Sequence, residues 1–220
     1  MMALSDQTMT ELPNRTATAP SDRGDAPSYY DRDAEAFAAR YDAVQFAAVH
    51  PLLARYLPES GRVLDVGAGS GRDARAMAAR GLDVTAAEPS AGLRAIASAK
   101  SPGIRWIDDR LPGLANLRED EGQFDFILCS AVLMLIAPEE LAPSFAAMAR
   151  LLTLSGRLGL NLRVPAAGEP GNLFFAHSDE AVLAAARASG LVAIDRGVAG
   201  DAIGRVAYRW RSFVFARECE

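Results

Sequence analysis

The chain has 220 residues, of which 50% are hydrophobic and 23% are charged, and its formal net charge is −5. These values predict one globular domain that buries a substantial core. No cluster of Lys or Arg offers the basic surface that nucleic acids require, and no run approaches the roughly 18 apolar residues of a membrane span. We therefore expect a soluble protein with a small-molecule partner, and neither nucleic-acid nor membrane binding.

The two cysteines indicate a reducing compartment. Cys129 and Cys219 lie far apart in sequence, and neither belongs to a CxxC pair or to a Cys/His cluster. We expect a cytoplasmic location.

Residues 1–28 differ from the rest of the chain. They are rich in Ser, Thr, Asp and Pro, and they contain no apolar run long enough for a signal peptide. This composition predicts a disordered leader before a single domain at residues 29–220.

Helices are predicted over residues 29–59. Asp31 is placed to cap the first helix, and Pro51 would kink or restart the second, which stops at Pro58. The first helix carries apolar residues at helical spacing: Tyr30, Phe37, Tyr41 and Val44.

From Arg62 onward, short β-type runs alternate with Ala-rich helical runs. This alternation predicts a parallel sheet with crossover helices. One of these helices spans roughly Glu139 to Leu152, interrupted or restarted at Pro143. The predicted strands are residues 62–66, 83–88, 104–108, 124–130 and 157–163.

The C-terminal part follows another pattern. Residues 177–190 predict a capped helix that ends at Gly190. Two strand-like runs then follow, residues 191–198 and 205–217, with no helix between them. A short turn at 199–204 joins them, which predicts an antiparallel hairpin.

A glycine-rich turn follows the first predicted strand, in the sequence VLDVGAGSGRDA at residues 63–74. Such a turn lets backbone N–H groups approach a ligand beyond the carboxyl end of a parallel strand. A dinucleotide-binding turn reads G-x-G-x-x-G, but Arg72 stands where its last glycine belongs. The glycines alone are equally compatible with a tight turn that binds nothing.

Acidic residues at the strand ends favour a nucleoside ligand. Asp65 lies inside an apolar strand, where a carboxylate is costly unless something pairs with it. Glu88 ends the second strand, where a carboxylate can accept both ribose hydroxyls. Asp108 and Asp109 end the third, where one of them can accept a hydrogen bond from a purine amine.

These residues resemble the class I S-adenosylmethionine-dependent methyltransferases over residues 29–217. VLDVGAGSG resembles the first motif of that family, VTAAEPS the second, IRWIDDRLP the third and FDFILCSAVLMLI the fourth. The resemblance implies an α/β, Rossmann-like fold, with a seven-stranded sheet, helices on both faces and an antiparallel strand in the C-terminal hairpin. It places the cofactor-binding core at residues 60–163 and a C-terminal helix and hairpin at 164–220.

The resemblance also implies site residues for S-adenosylmethionine. Glu88 would bind the ribose hydroxyls, and Asp108 or Asp109 would contact adenine. The N-terminal helix would form a lid, although Tyr30 equally fits ordinary helix packing. The implied cofactor-binding set is Asp65, Gly67, Ala68, Gly69, Glu88, Pro89, Asp108 or Asp109, Ser130 and Tyr30, with Cys129, Ser130 and Ala131 passing under the sulfonium.

The acceptor side carries fewer signals. Cys129 and Ser130 stand where nitrogen-methylating members carry Asn-Pro-Pro, and no Pro-Cys nucleophile is present, so we expect Cys129 to be a packed thiol. We find no equivalent of the ligands that bind a metal in catechol-type members, and predict no metal. The resemblance implies methyl transfer to a small-molecule O, N or S nucleophile, mainly by approximation.

Three residues keep two interpretations each. His177 could be a general base or a structural histidine, and it is our only catalytic candidate. Arg163 could bind an anionic acceptor or be a solvated strand-end charge. Asp73 could belong to the site or simply favour the N-terminus of a helix.

Two other functions are considered. The absence of an obvious base after the fourth strand favours a cofactor-binding domain without transferase activity, as a sensor or partner subunit. A nicotinamide-dependent oxidoreductase is disfavoured by Arg72 and by the closing hairpin.

Overall fold

The computed structural model describes residues 25–117, 123–205 and 208–218, within which seven strands form one sheet. Their order across the sheet is β3-β2-β1-β4-β5-β7-β6. The strands are β1 (Arg62–Val66), β2 (Asp83–Ala87), β3 (Arg105–Ile107), β4 (Phe124–Ser130), β5 (Leu152–Arg163), β6 (Leu191–Gly200) and β7 (Arg209–Arg217).

Seven α-helices lie before and between the strands of the described part of the chain. Short 3₁₀ turns occur at Leu53–Arg55, Leu133–Leu135 and Pro138–Glu140. The α-helices are α1 (Ala26–Asp31), α2 (Ala34–Asp42), α3 (Phe46–Val49), α4 (Arg72–Ala78), α5 (Ala91–Lys100), α6 (Leu141–Leu151) and α7 (Asp179–Ala188).

Strand direction confirms the predicted fold class. The strands β1 to β5 pair in parallel, whereas β7 runs antiparallel to both β5 and β6. Crossover helices explain the parallel part, and a direct hairpin reverses the chain at its end. All parallel strands therefore end at one edge of the sheet, which is where open α/β sheets bind ligands.

The core lies on both faces of the sheet. On one face, Phe145 and Met148 of α6 pack with Leu64 and Phe215 of the strands. On the other face, Met77 of α4 and Leu53 pack with further strand residues, including Val63, Phe126 and Leu128. Both faces are covered, which accounts for the nearly continuous burial of the central strands.

The N-terminal boundary of the domain differs from the prediction. Residues 26–28 belong to helix α1 because the Asp25 carboxylate caps it, accepting a hydrogen bond from the Ser28 N–H at 3.1 Å. The predicted leader is therefore wrong for these residues, and residues 1–24 lie outside the described part. Asp31 does not cap a helix of its own: it accepts hydrogen bonds from Ser90 Oγ and Gly92 N–H at the start of α5.

Prolines account for two further differences. The predicted helix around Pro51 is only the four-residue α3 followed by a 3₁₀ turn, because proline lacks the N–H that an α-helix needs there. Pro143 does not interrupt α6, since it lies in the first turn, where a missing N–H costs nothing.

Candidate active site

The glycine turn between β1 and α4 has a left-handed backbone. Gly67, Gly69 and Gly71 have φ values of 67°, 56° and 79°. A Cβ atom on Gly67 would lie 2.4 Å from Val132 Cγ2, and one on Gly71 would lie 2.8 Å from Trp106 Cη2. Conformation and close packing therefore both require glycine at these two positions.

Glu88, directly after β2, fixes this turn. Its Oε2 accepts a hydrogen bond from Gly69 N–H at 2.7 Å, and its Oε1 accepts one from Ser90 N–H at 2.8 Å. Burial raises the pKa of the Glu88 carboxyl group. Each carboxylate oxygen still has a free lone pair, so Glu88 can also accept hydrogen bonds from two ligand hydroxyls.

Asp65 of β1 is a buried carboxyl group with an unpartnered oxygen. Its side chain lies at the floor of a cavity, and its Oδ2 has no hydrogen-bond partner among the described residues. Burial, followed by the negative charge of Asp73, raises its pKa well above the ordinary value. Such an atom is costly unless a donor or a cation occupies the adjacent space.

Asp73, in the first turn of α4, is also buried, but unlike Asp65 it has hydrogen-bond partners for both carboxylate oxygens. It accepts hydrogen bonds from His50 Nε2 at 2.9 Å and from Arg72 Nε at 2.6 Å. Burial opposes ionisation of Asp73, but His50 and Arg72 outweigh it and lower the pKa. On the other side of the imidazole, His50 Nδ1 lies 3.4 Å from Asn161 Nδ2.

The acids after β3 do not reach the cavity. Asp108 is exposed and pairs with Arg94 at 2.9 Å. The Asp109 carboxylate is buried in the next loop, where it accepts hydrogen bonds from the N–H groups of residues 110, 115 and 116. The predicted adenine contact is therefore unsupported for both, because neither residue lines the cavity. Arg110, Leu111 and Pro112 line that side of the cavity instead.

The end of β4 supplies part of the cavity wall. Ser130 and Ala131 line the cavity, whereas Cys129 does not. The Cys129 thiol is fully buried, and burial raises its pKa, so it is a packed thiol as predicted and does not reach the site. Ala131 has a φ of 60°, a strained conformation for a residue other than glycine, and its N–H donates to the Asn161 carbonyl at 2.7 Å.

A cavity of about 690 Å³ follows the carboxyl edge of the sheet. Its glycine half, above β1 and β2, contains Asp65, Gly67 to Ser70, Glu88 and Pro89. Its aromatic half, above β5 and the hairpin, contains Tyr29, Tyr30, Phe37, Phe174, Tyr208 and Trp210, together with Arg163 and Arg205. Both the volume and the mixture of apolar walls with few polar groups are typical of small-molecule sites.

Helices α1 and α2 cover the cavity. Asp31 fastens α1 to the start of α5, and Asp42, at the end of α2, accepts hydrogen bonds from Ser70 Oγ and from Arg75. Tyr30 lines the cavity and also packs edge-on against Tyr29 and Phe37. Its two predicted roles, covering the site and packing the helix, are therefore compatible.

Residues 63–156 match a family model described as a methyltransferase domain. A solved structure of a TehB-like S-adenosylmethionine-dependent methyltransferase from Corynebacterium glutamicum is 20% identical, with a TM-score of 0.64, covering 87% of this chain and 98% of that one. None of the curated protein sequences matches the chain significantly. This match agrees with the predicted resemblance to the class I S-adenosylmethionine-dependent methyltransferases.

Two other solved structures are similar to this chain in fold. The 1,6-didemethyltoxoflavin-N1-methyltransferase of Burkholderia thailandensis, solved with 1,6-didemethyltoxoflavin and S-adenosylhomocysteine, is 18% identical, with a TM-score of 0.62, over 92% of this chain and 94% of that one. The [4+2]-cyclase SpnF is 16% identical, with a TM-score of 0.68, over 88% and 95%. These identities indicate a shared fold and do not transfer a substrate.

These matches agree with S-adenosylmethionine as the predicted cofactor. The residues of the cavity fit that group in two respects. The unpartnered Asp65 Oδ2 offers an acceptor for a cationic amine, and Glu88 offers acceptor lone pairs for ribose hydroxyls. A Cβ atom on Gly69 would have only Tyr41 nearby, at 3.7 Å, so the turn leaves open space above it.

His177 does not line the cavity, so the predicted base role is unsupported. Its imidazole is buried, and Nε2 lies 2.9 Å from the Leu133 carbonyl and 3.0 Å from the Ile136 carbonyl. Carbonyl oxygens only accept hydrogen bonds, so Nε2 must carry a proton there and cannot take one from a substrate. His177 instead holds the turn after β4.

Arg163 fits neither of its predicted roles. Its side chain is only 6% exposed, so it is not a solvated strand-end charge. Both of its terminal nitrogens donate to the Glu169 carboxylate, at 2.7 and 2.5 Å, so it is not free to bind an anion either. Burial of a guanidinium group is tolerated here because the partner is bidentate.

The sequence analysis missed most of the aromatic half. Glu169, Asp201, Arg205, Tyr208 and Trp210 line it, and none of them was singled out. The sequence YRWRSF, at residues 208–213, alternates aromatic and arginine residues, and this pattern could have indicated that the hairpin contributes to the site. Glu169 lies in a loop whose position depends on Arg163, and no local pattern reveals that pairing.

Proposed function

We propose that this protein binds S-adenosylmethionine in the glycine half of the cavity and transfers its methyl group to a small-molecule O, N or S nucleophile in the aromatic half. The observation that carries the proposal is the unpartnered Asp65 oxygen beside the Gly67–Gly71 turn. A buried carboxylate without a partner is stabilised when a cation arrives, and the cofactor is cationic at both its amine and its sulfonium.

The binding role of each residue follows from its contacts. Asp65 would pair with the cofactor amine, and Glu88 would accept the ribose hydroxyls while it holds the turn through Gly69. Pro89 and Leu111 would enclose the base, since they line the cavity on the β2 and β3 side. Ser130 and Ala131 would lie beneath the transferred methyl group at the boundary between the two halves.

The chain's own contribution to transfer is mainly alignment and exclusion of water. The cofactor supplies an already activated methyl group, so the protein must hold an acceptor lone pair in line with it. The cover formed by α1 and α2 keeps solvent from that line. Burial raises the pKa of the Tyr30 hydroxyl well above its ordinary value, so Tyr30 cannot remove a proton from the acceptor.

Calorimetric titration with S-adenosylmethionine, S-adenosylhomocysteine and NADH tests the cofactor. We expect only the first two to bind, and at about 100 times the dissociation constant each should stabilise the protein by roughly 2.7 kcal/mol. The Glu88→Ala variant loses hydrogen bonds to a charged group and should bind roughly 100-fold more weakly. Glu59→Ala, at an exposed site, is the matched control. Wild-type affinity in Glu88→Ala, or binding of NADH alone, contradicts the assignment.

A single-turnover assay tests transfer. The protein is incubated with methyl-labelled S-adenosylmethionine and a small-metabolite extract, and we expect label in a low-molecular-weight product. The Gly69→Val variant, whose side chain would enter the space above the turn, should abolish both binding and labelling. Cofactor binding without any labelled product would favour the alternative function.

That alternative is a binding domain without transferase activity, acting as a sensor or partner subunit. Two observations favour it: His177 faces away from the cavity, and the similar fold of the cyclase SpnF belongs to a protein whose reaction is a cyclisation. The labelling assay separates the two functions, because a binding-only domain retains the cofactor unchanged.

Other partners remain predictions. In the part of the chain that the structure describes, no helix has both the length and the apolarity to cross a membrane. Within the same ranges, no group of three or more His, Cys, Asp or Glu side chains is arranged to hold a metal ion. We propose a small molecule as the only acceptor class, without nucleic acid, membrane or metal.

A further inference from the structure

One wall of the aromatic half is a stack of charged and aromatic groups. The guanidinium carbon of Arg163 lies 4.4 Å from the centre of the Tyr208 ring, and that of Arg205 lies 4.2 Å from the same centre. Both guanidinium groups therefore pack against the Tyr208 ring, at distances typical of cation–π contacts.

Each guanidinium group of this wall is neutralised by its own carboxylate. Glu169 accepts two hydrogen bonds from Arg163, and Asp201 accepts two from Arg205, at 2.9 and 2.7 Å. Trp210 Nε1 also donates to Asp201, at 2.9 Å. The Glu169 carboxylate thus engages both terminal nitrogens of Arg163, and the Asp201 carboxylate engages Nε and Nη2 of Arg205, which neutralises both guanidinium groups.

Both carboxylates stay ionised at neutral pH. Partial burial opposes ionisation of Glu169, but hydrogen bonds from Arg163 and from the Ala166 N–H outweigh it and lower its pKa. The same balance holds for Asp201, where the hydrogen bonds from Arg205 and Trp210 lower the pKa. The wall therefore carries no net charge under ordinary conditions.

Charges elsewhere around the aromatic half do not alter this balance. Arg40 and Glu140 line the cavity with one charge of each sign, and Arg110 pairs with Asp25 at 3.3 Å. Arg40 lies over the Phe37 ring, with its guanidinium carbon 5.5 Å from the ring centre. Near the wall, a cationic ligand would meet two guanidinium groups, and an anionic ligand would meet two carboxylates.

The opposite side of the aromatic half consists of rings. Tyr29 packs edge-on against Phe174, with ring centres 5.8 Å apart, and Tyr30 packs edge-on against Phe37 at 4.9 Å. Aromatic side chains in such arrangements present both faces and edges, which suit offset and edge-on contacts with a further flat ring. The hydroxyl groups of Tyr29 and Tyr30 supply polar contacts that an uncharged ligand can also use.

We propose that the acceptor is a neutral, planar aromatic molecule, and that Glu169 and Asp201 determine this preference by neutralising Arg163 and Arg205. This inference rests on the proposed methyltransferase function, since it assigns a substrate class to the aromatic half of that site. Glu169 and Asp201 are specificity-determining residues, and neither needs to touch the reacting atoms.

Calorimetry on the protein saturated with S-adenosylhomocysteine tests the proposal, because the filled glycine half cannot accept the probe. The probes are quinoline-3-carboxamide, which is neutral, the nearly isosteric quinoline-3-carboxylate, and decahydronaphthalene-2-carboxamide, which is neutral but not planar. We expect quinoline-3-carboxamide to bind about tenfold more tightly than either of the others, the difference that one unmade charged hydrogen bond produces.

Two variants make the test specific. Glu169→Gln frees the guanidinium group of Arg163, and Asp201→Asn frees that of Arg205, so each should reduce or reverse the preference for carboxamide over carboxylate by about tenfold. Asp195→Asn breaks the comparable pair with Arg55 outside the cavity and should leave the preference unchanged. A merely structural role for Glu169 would weaken binding of both probes equally.

The outcomes separate the two proposals. Equal or tighter binding of the carboxylate by the wild-type protein, no binding of any ring, or an unchanged preference in both variants would overturn the inference while cofactor binding stands. Failure of S-adenosylhomocysteine to bind at the outset would instead remove the proposed function.

Discussion

The glycine half of the cavity is built from backbone, whereas the aromatic half is built from side chains of several distant segments. In the glycine half, left-handed glycines and the Gly69 N–H, held by Glu88, set the shape. In the aromatic half, the decisive contacts join β5 to its own loop and to the hairpin, through the Arg163–Glu169 pair and the Tyr208 ring. A short continuous motif can encode the first kind of site, and only tertiary packing creates the second.

The two halves also differ in how they treat charge. The aromatic half pairs its buried Arg163 with Glu169, whereas the glycine half leaves an Asp65 oxygen without a partner. An unpartnered buried carboxylate destabilises the empty protein and is relieved by a cationic ligand. The comparison indicates that one half is prepared for a charged group and the other for a neutral one.

Substituting the two buried aspartates of the glycine half should break this comparison most strongly. Asp73→Asn removes the charge that His50 and Arg72 hold, and should destabilise the protein by about 3 kcal/mol or more at neutral pH. Asp65→Asn removes a buried carboxyl group whose Oδ2 has no hydrogen-bond partner among the described residues, so we expect the empty protein to become more stable while its affinity for S-adenosylmethionine falls. Thermal unfolding and calorimetry measure the two effects.

The two carboxyl groups affect stability in opposite directions as the pH changes, because folding lowers the pKa of Asp73 and raises that of Asp65. The folded-state pKa of Asp73 is lowered, so its contribution to stability is present above its unfolded pKa of about 4 and is lost on acidification. The folded-state pKa of Asp65 is raised, so its contribution is fully present below about pH 4 and is lost as pH rises. Both differences from wild type should therefore shrink in acid. Destabilisation of the empty protein by Asp65→Asn would contradict the unpaired state.

The sequence predicts the glycine half of the cavity better than the aromatic half. The β1 strand, its three glycines and Glu88 lie within 27 residues, at 62–88, and the rules for strand, turn and helix start act locally there. The hairpin was also predictable, because two strand-like runs follow one another without a helix. These elements come from short-range constraints, so their positions in the sheet match the prediction closely.

The errors arise where a side chain can choose between partners. Asp108 and Asp109 are at a strand end, as predicted, but Arg94 and the N–H groups of the next loop take their oxygens. His177 lies in a loop near the site, yet two carbonyls after β4 hold its ring. Sequence position gives the neighbourhood of such residues, and only the packed structure decides which partner wins.

Gly67→Ala should have the next largest effect on the unfolding free energy, and it changes only the glycine half of the cavity. The new Cβ atom would clash with Val132 at 2.4 Å in a left-handed conformation, which together should cost roughly 2–4 kcal/mol in unfolding free energy. The control is Gly81→Ala, where φ is 85° but nothing lies within 4 Å, so only the conformational cost of about 1 kcal/mol remains. Adding Val132→Ala to Gly67→Ala should recover part of the loss, and equal costs at both glycines would remove the packing argument.

His177→Ala tests whether the histidine acts in structure or in catalysis. It removes a donor to the Leu133 and Ile136 carbonyls and should lower unfolding free energy by about 1–3 kcal/mol. Once the acceptor is known, we expect the turnover of folded protein to keep its pH profile, because the ring does not face the cavity. If the His177→Ala variant kept its stability but one side of its pH–rate profile disappeared, the general-base hypothesis would be restored.

Asp108→Asn should have the smallest effect. Its carboxylate is exposed and pairs only with Arg94 among the described residues, and surface ion pairs contribute about 0–1 kcal/mol. We expect unchanged affinity for S-adenosylhomocysteine in calorimetry, since Asp108 does not line the cavity. Asp109→Asn is the informative companion: its carboxylate holds three N–H groups of the 110–116 loop, so it should weaken binding only through loss of stability. A tenfold or greater loss of affinity in Asp108→Asn, at about 1.4 kcal/mol, would mean that this side chain turns inward when the nucleoside binds.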